Sequence, residues 1–311
     1  MSEKPLIHIV LAAYNGEKYL PQQLDSIVAQ DYENWMLEVC DDGSADRTAE
    51  IVREYMKRDS RITLYQNERN LGYVKNFMEG IRRSSADYIM LCDQDDIWFP
   101  DKISKTWKRA QEEQKRLPGG AEVPVLVYGD AMNFDSETGS DSGRFHEMSR
   151  LDTKKVDTAH LFMENKCIGC TIMVTGAIRS YLGELPEEIR VHDWWLALIC
   201  SHFGEICYLD EPLLRYRQHA GNMIGGSSFS SYFKRRISKL KEQRRVLRDT
   251  VAQGRRFYEM YGERMEEKQQ ETAKHFAMLY DRNFLARKAD LIRYGFWKSG
   301  MTRNIALFLL L

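Results

Sequence analysis

Neither of the two familiar phosphate cradles is present in this 311-residue chain: no GxGxxG and no GxxxxGK[ST] follows any strand-like segment. A phosphate bound here therefore does not rest on a glycine-rich loop. Long apolar runs are also missing, since the nearest candidate, Ile305 to Leu311, is about a third of the ~18 residues that span a bilayer. Excess charge of either sign is absent: 45 Lys+Arg against 46 Asp+Glu leave a net charge of -1, which excludes a global field for nucleic acid and makes any charge effect local. The start of the chain, MSEKPLIHIVLAAYNG, has no small-residue cleavage site after its apolar run and reads as a first strand. Cysteine is sparse. Cys40, Cys92, Cys167, Cys170, Cys200 and Cys207 lie mostly in apolar runs, where reduced thiols behave as small hydrophobes, and this points to the cytoplasm. Cys167-Ile-Gly-Cys170 has a metal-like spacing, but no second CxxC or His pair accompanies it, so core packing is expected.

What the chain does have is 43% hydrophobic residues and 11% aromatics, enough to offset the entropy of ordering one large α/β domain with an appendage. Up to about residue 130, β-rich runs alternate with amphipathic ones, which predicts βαβ units around a mainly parallel sheet. The predicted strands are Ile7 to Ala13, Met36 to Cys40, Thr63 to Gln66, Tyr88 to Cys92 and Val125 to Tyr128. The predicted helices are Tyr19 to Ala29, Thr48 to Lys57, Tyr73 to Arg82 and Asp101 to Lys115. Phe134 to Asp152 is polar, Gly/Ser-rich and aperiodic, and predicts a mobile surface loop. Strand-like Thr171 to Thr175, a helix from about Asp193 to Phe203 and an extended run from Ile206 follow, with sheet material ending near His219.

The last third changes character. Lys234 to Arg256 carries ten Lys/Arg against Glu242 and Asp249, on residues that favour helix. Two readings stand: a solvated helix packed on the sheet domain, or a basic face that touches anionic lipid on the inner surface of the cell membrane.

Ligands of open α/β sheets sit outside the carboxyl ends of the strands, so the residues after each strand carry the chemistry. These are Ala13-Tyr14 after the first, Asp41-Asp42-Gly43-Ser44 after the second and Asp93-Gln94-Asp95-Asp96 after the fourth. So many carboxylates in one crevice repel unless a cation or hydrogen-bond donors neutralise them, and a divalent cation is the simplest remedy. Alternation would send Asp93 and Asp95 to one side, as two oxygen donors for a hard metal. The competing reading is an Asp-rich turn capping the next helix. Asp42 offers an acceptor to a base N–H and Tyr14 a ring face, or Asp41 to Ser44 is a tight turn. In His192-Asp193-Trp194-Trp195 the Asp either caps a helix or projects into the crevice, and the Trp pair either walls a sugar or packs. Arg215, Arg217 and His219 alternate onto one face, where imidazole could ligate metal and guanidinium could meet phosphate.

Taken together, IVLAAYNGEKYLPQQLDSIVAQ, CDDGSADRT, NERNLGYVKNF, YIMLCDQDDIWFPDKI, VHDWW and YRQHAGN resemble family 2 glycosyltransferases, with greatest similarity to bacterial rhamnosyltransferase-like members. The resemblance spans roughly residues 5 to 225. It implies the GT-A α/β fold over residues 1–225, with a nucleotide-sugar half to about 130 and an acceptor half beyond, then a helical basic extension over 226–311. It also implies inversion at the anomeric carbon and Mn²⁺ or Mg²⁺ as cofactor. By the same resemblance Ala13, Tyr14 and Glu17 surround the nucleobase and ribose, and Asp42 meets the base. Asp93 binds ribose or metal with Gln94 beside it, while Asp95 and His219 hold metal and Asp193 is the base. Lys75 stands where the family often places a phosphate-binding cation, and His192, Trp194, Trp195 and Arg217 support the acceptor side. The expected reaction transfers a sugar, L-rhamnose from dTDP-rhamnose by the likeness to rhamnosyltransferase-like members, to a cell-surface polysaccharide or lipid-linked oligosaccharide. The rivals are a metal-dependent phosphohydrolase or nucleotidyltransferase, against which the DxDx[TV] pattern fails at Ile97-Trp98, and a non-catalytic sugar-nucleotide binding module.

Overall fold

Strand Ile7–Ala13 (β1) is buried at nearly every position, the pattern of a strand covered on both faces rather than on one. Helix Leu20–Val28 (α1), strand Trp35–Asp41 (β2), helix Thr48–Met56 (α2), strand Ile62–Gln66 (β3), helix Tyr73–Arg83 (α3) and strand Tyr88–Asp93 (β4) follow in strict alternation. The computed structural model describes residues 4–218 and 240–311. Strands β1, β2, β3 and β4 are mutually parallel where they pair, and the register sets Asp41 beside Ala13 and Asp93 beside Ala12. Three strand ends thus stop level at one edge of the sheet, each followed by a polar loop.

Short strand Ile97–Trp98 (β5) and helix Lys102–Arg116 (α4) lead to strands Val125–Asp135 (β6) and Ser140–Arg144 (β7), helices Phe145–Ser149 (α5) and Thr158–Met163 (α6), strand Met173–Thr175 (β8), helix His192–Phe203 (α7) and strand Glu205–Gln218 (β9). The sheet order is β3-β2-β1-β4-β8-β6-β9-β5, with β7 on β6. Strand β8 runs antiparallel to both β4 and β6, so the parallel set is interrupted in the middle of the sheet.

The segment from Phe134 to Asp152 is not the loop its composition suggests. β6 runs on to Asp135, turns through Gly139 at φ +70, and returns as β7 into α5. The Asp135 carboxylate accepts the Glu137 N–H at 2.8 Å, and Gly139 N–H donates to Asp135 O at 2.8 Å, which is turn chemistry rather than disorder. Behind the turn, Arg144 Nε and His146 Nδ1 close on the buried Asp130 carboxylate at 2.8 and 2.9 Å.

Four more helices complete the described chain: Leu240–Tyr261 (α8), Glu267–Ala277 (α9), Phe284–Tyr294 (α10) and Met301–Leu310 (α11). On α8 the residues Leu247, Val251, Phe257 and Tyr261 face inward, while Lys241, Arg244, Arg245 and Arg248 are exposed. Residues 234–239 of the basic stretch lie outside the described residues. Phe257 meets the rings of Trp195, His202, Phe162 and Tyr261, so α8 shares one aromatic core with α6 and α7. Gly254 permits this: a Cβ there would stand 2.4 Å from the Phe276 ring on α9.

Truncation of Phe257 to Ala is expected to cost about 3–5 kcal/mol, the range for a fully buried aromatic. Urea unfolding followed by far-UV circular dichroism should show one transition at a lower midpoint. A separate early transition would mean that α8 docks independently of α7.

Candidate active site

A cleft of about 940 Å³ lies at the sheet edge where β1, β2 and β4 end, lined there by Ala13, Tyr14, Asp42, Asp93, Gln94 and Asp95. Its far wall is made of Asn165, Gly169, Arg190, His192 and Asp193.

The loops after β1 and β2 are laced to each other. Asn15 N–H donates to Ser44 Oγ at 2.9 Å, Gly16 N–H to Thr48 Oγ1 at 2.8 Å and Glu17 N–H to Asp46 Oδ2 at 3.0 Å. Glu17 Oε2 in turn accepts Arg47 N–H at 3.1 Å, and Glu17 does not line the cleft. The carboxylate is drawn to the start of α2, whose first amides need acceptors. Tyr14 is half exposed at the cleft mouth. Gln94 clamps its backbone, accepting Tyr14 N–H at 2.9 Å and donating to Tyr14 O at 3.1 Å, so the Gln94 amide ties β1 to the acidic turn.

Asp41 and Asp42 are neutralised by donors. Asp41 accepts from the Ser44 amide and hydroxyl and from Gln66 Nε2 at 3.1 Å. Asp42 Oδ1 accepts Asn67 Nδ2 and Leu71 N–H, and Oδ2 accepts Gly72 N–H, all at 2.8 Å. Gly72, at φ +81, bends the chain so that its amide can reach the carboxylate.

The turn after β4 is solved differently. Asp93 and Asp95 both face the cleft, but so does Gln94 between them, because the chain turns after Asp93 instead of alternating as a strand, while Asp96 is fully buried beneath them. Carboxylate oxygens of Asp93 and Asp96 and the Cys170 sulfur lie within 4.8 Å of one another. Asp96 Oδ1 accepts Arg217 N–H at 3.1 Å, but Oδ2 is buried with no hydrogen-bond partner. Burial, then the neighbouring Asp95 and Asp193 charges, push Asp93 up to about 7, and burial with Asp95 and Asp93 also raises Asp96 well above the usual carboxylate range. An orphaned carboxylate oxygen among three acids fits a divalent cation, which would supply the missing positive charge. Hard cations take oxygen, and burial keeps the Cys170 thiol protonated, so the fitting donors are the aspartates.

Beneath the turn lies a cation that sequence reading missed. Lys102 is fully buried, its Nζ donating to Cys170 O at 2.5 Å and standing 3.4 Å from the Trp98 ring centroid. Burial lowers its pKa to about 8. Arg217, expected on the acceptor side, instead holds the acidic turn from behind: Nε donates to Asp95 O at 2.7 Å and Nη2 to Gln22 Oε1 at 2.6 Å.

On the far wall, Val191 is the N-cap of α7 and gives no side-chain cap, so Asp193 sits inside the first turn. Its Oδ1 accepts Trp194 N–H at 2.7 Å, and Asn165 and the Gly169 amide also donate to the carboxylate. Burial raises Asp193 to about 6 despite those donors. His192 stacks on Phe77 at 4.0 Å, both ring nitrogens lack a hydrogen-bond partner, and burial lowers it to about 3, so the imidazole is neutral. Trp194 and Trp195 do not wall the cleft. Trp194 Nε1 donates to Leu161 O, and Trp195 packs on Phe257 and Tyr261, because an apolar helix buried on all sides turns both indoles into the core. Lys75 is exposed on α3 and outside the cleft lining, whereas its neighbours Tyr73, Asn76 and Phe77 line it. His219 lies outside the described residues.

Arg190 is the second residue that the motifs did not reveal. Its Nη1 donates to Thr250 Oγ1 at 2.7 Å and its N–H to Gln253 Oε1 at 2.9 Å, so α8 braces the cleft wall directly. The nearest signal was its position two residues before His192.

The chain is 28% identical over 222 residues to an uncharacterized glycosyltransferase of Methanocaldococcus jannaschii, covering 69% of this chain and 71% of that one. It is 27% identical over 241 residues to the dTDP-rhamnosyl transferase RfbG of Shigella flexneri, covering 72% and 77%. Among solved structures, Staphylococcus aureus TarS 1–349 in complex with UDP-GlcNAc superposes with a TM-score of 0.58 at 14% identity, over 93% of this chain and 80% of that one. The mannosyltransferase PcManGT of Pyrobaculum calidifontis, in complex with GDP-Man and Mn²⁺, gives 0.55 at 14% identity over 99% and 79%. These two likenesses show the fold, a GT-A arrangement. The glycosyl transferase family 2 model matches residues 8–157, which hold the laced loops, the Asp42 cradle and the acidic turn, and over this stretch the chain is similar to the family 2 glycosyltransferases.

Proposed function

We propose that this glycosyltransferase moves L-rhamnose from dTDP-L-rhamnose to a saccharide of a cell-surface polysaccharide or a lipid-linked oligosaccharide, with inversion and with Asp193 as the general base. The observation that carries the reading is the sharing of one cleft by the Asp193 carboxylate on the far wall and the Asp93 and Asp95 carboxylates at the strand ends. Single displacement needs a base on the face of the sugar opposite the leaving diphosphate. Asp193 takes the proton of the acceptor hydroxyl as its oxygen bonds to the anomeric carbon, and the bond from that carbon to the diphosphate oxygen breaks. The donor class is supported by the similarity to the Shigella flexneri rhamnosyl transferase, and metal use by the complex of the Pyrobaculum calidifontis protein with GDP-Man and Mn²⁺.

Asp93, Asp95 and Asp96 would hold Mn²⁺ or Mg²⁺, which when bound neutralises the diphosphate as it leaves. Asp42 keeps spare acceptor capacity on Oδ2 toward a base N–H, and the exposed Tyr14 ring offers a stacking face. No helix among the described residues is long and apolar enough to cross a membrane, so a lipid-linked acceptor would be met at the membrane surface.

Two outcomes follow. Asp95→Ala should abolish the Mn²⁺-dependent thermal shift that a nucleoside diphosphate gives the wild type, which at 100 times the dissociation constant corresponds to about 2.7 kcal/mol. Equal wild-type shifts in EDTA and in Mn²⁺ would remove the metal from donor binding.

Asp193→Asn should keep donor binding and the fold but lose turnover by ~10²-fold or more, the scale of one positioned base. The raised Asp193 pKa gives a second signature. A base must be ionised, so wild-type kcat at saturating donor and acceptor should rise with pH through about 6 and then level. The stability term has the opposite sign: burial disfavours the charged form, so its contribution is full below the unfolded carboxyl pKa and is lost as pH rises through about 6. Near-wild-type turnover in Asp193→Asn would move the base to another carboxylate.

A further inference from the structure

Large apolar side chains are left in solvent on the last two helices: Phe284, Leu285 and Ile292 on α10, and Ile305, Phe308 and Leu309 on α11. Spacings of one, seven and eight residues on α10 and of one, three and four on α11 keep each set within about 100° of one helix face. Left-handed Gly295 ends α10, and Arg287 Nη1 near its start donates to Leu311 O at 2.7 Å, so the end of α11 lies beside the start of α10. The two apolar stripes meet at Lys288, whose Nζ stands 4.9 Å from the Phe284 ring centroid and 4.3 Å from that of Phe308.

Lys288 is 7% exposed, and its ammonium has no hydrogen-bond partner. Two ring faces replace only part of the hydration of an ammonium, so an anion is missing from this site. The one acid of residues 284–311, Asp290, is taken by Arg282 and His275 at 3.1 Å, while Arg293, 3.5 Å from Glu271, is largely exposed beside Ile292. An exposed apolar face around an unmatched ammonium is built for a surface that is apolar within and anionic at its rim.

We propose that the α10–α11 pair docks this chain on an anionic lipid bilayer, with Leu285, Ile305 and Leu309 entering the acyl region and the Phe284 and Phe308 rings parting so that Lys288 meets a lipid phosphate. A second copy fits less well, because a symmetric contact would bring Lys288 and Arg293 against their own equivalents. The opposite side of α11 explains why this face matters. Arg303 lines the cleft and pairs with Glu164 at 2.9 Å, so the bilayer would lie about one helix diameter, ~10 Å, from the catalytic cleft. The docking goes beyond the transfer reaction and stands or falls separately from it.

The test is co-flotation of the full chain with vesicles of mixed phosphatidylglycerol and phosphatidylcholine, against pure phosphatidylcholine. The wild type should float with the anionic vesicles and be released by salt. A Leu285→Gln, Ile305→Gln, Leu309→Gln variant should bind about tenfold more weakly or worse, and Lys288→Met about fivefold more weakly. Circular dichroism melts check that these surface changes leave the fold intact. As a second readout, Leu309→Trp should gain quenching by bromolipid beyond the wild-type level. Equal flotation with both vesicle types overturns the proposal. So does unchanged binding of the triple variant, which would assign the contact to the basic stretch over Lys234 to Arg256, or vesicle-independent self-association that the triple variant loses.

Discussion

The parallel register of β2, β1 and β4 is the constraint from which the rest of the site follows. Because Ala13 pairs with Asp41 and Ala12 with Asp93, three loops begin level at one sheet edge, and their acids are brought into one crevice. Carboxylates so placed cannot stay uncompensated in a poorly solvated site. Asp41 and Asp42 are met by amides, Ser44 and the Asn67 and Gln66 side chains. In the Asp93–Asp96 turn the Arg217 backbone and guanidinium meet Asp96 and Asp95, and the buried Lys102 lies close enough to act on Asp93 and Asp96 by charge. The Asp42 carboxylate is matched by internal donors, whereas in the acidic turn Asp96 Oδ2 has no hydrogen-bond partner.

The far wall depends on packing as much as on charge. Helix α7 is buried on nearly all sides, so Trp194 and Trp195 anchor it in the core and fix where its first turn projects. Only that first turn reaches the cleft, bringing His192 and Asp193 with it. The Asp193 carboxylate is then oriented by Asn165 and the Gly169 and Trp194 amides. Gly169 is close enough that an added Cβ would stand 3.0 Å from His192 Nε2, so a larger residue would press on the pair. The C-terminal helices are part of the same construction, since Thr250 and Gln253 of α8 hold Arg190 at the cleft.

Much of the first half was readable because βαβ units write their periods plainly. The predicted strand Ile7 to Ala13 matches β1 residue for residue, and the first four helices fall within one residue of their observed ends. Asp42, Asp93, Asp95 and Asp193 could be singled out because each follows a strand or opens a helix, where an α/β sheet presents polar groups to ligand. The β6–β7 hairpin was hidden by its solvent-facing polar residues, whose alternation carries no apolar signal.

By itself the sequence determined the strand and helix periods, the grouping of acids at strand ends and the family to which the motifs belong. These depend on neighbours within a few residues, and local order is enough to specify them. Tertiary structure alone decided which acids are matched and which are not. Lys102 reads as one more lysine of an amphipathic helix until Cys170, 68 residues away, covers it, and Arg217 meets Asp95 only across 122 residues. The same holds for Lys288, solvated in any isolated helix and deprived of water only when Phe308 closes over it from α11. Charge balance in a folded chain is a property of distance and burial, and neither is set until the chain has closed on itself.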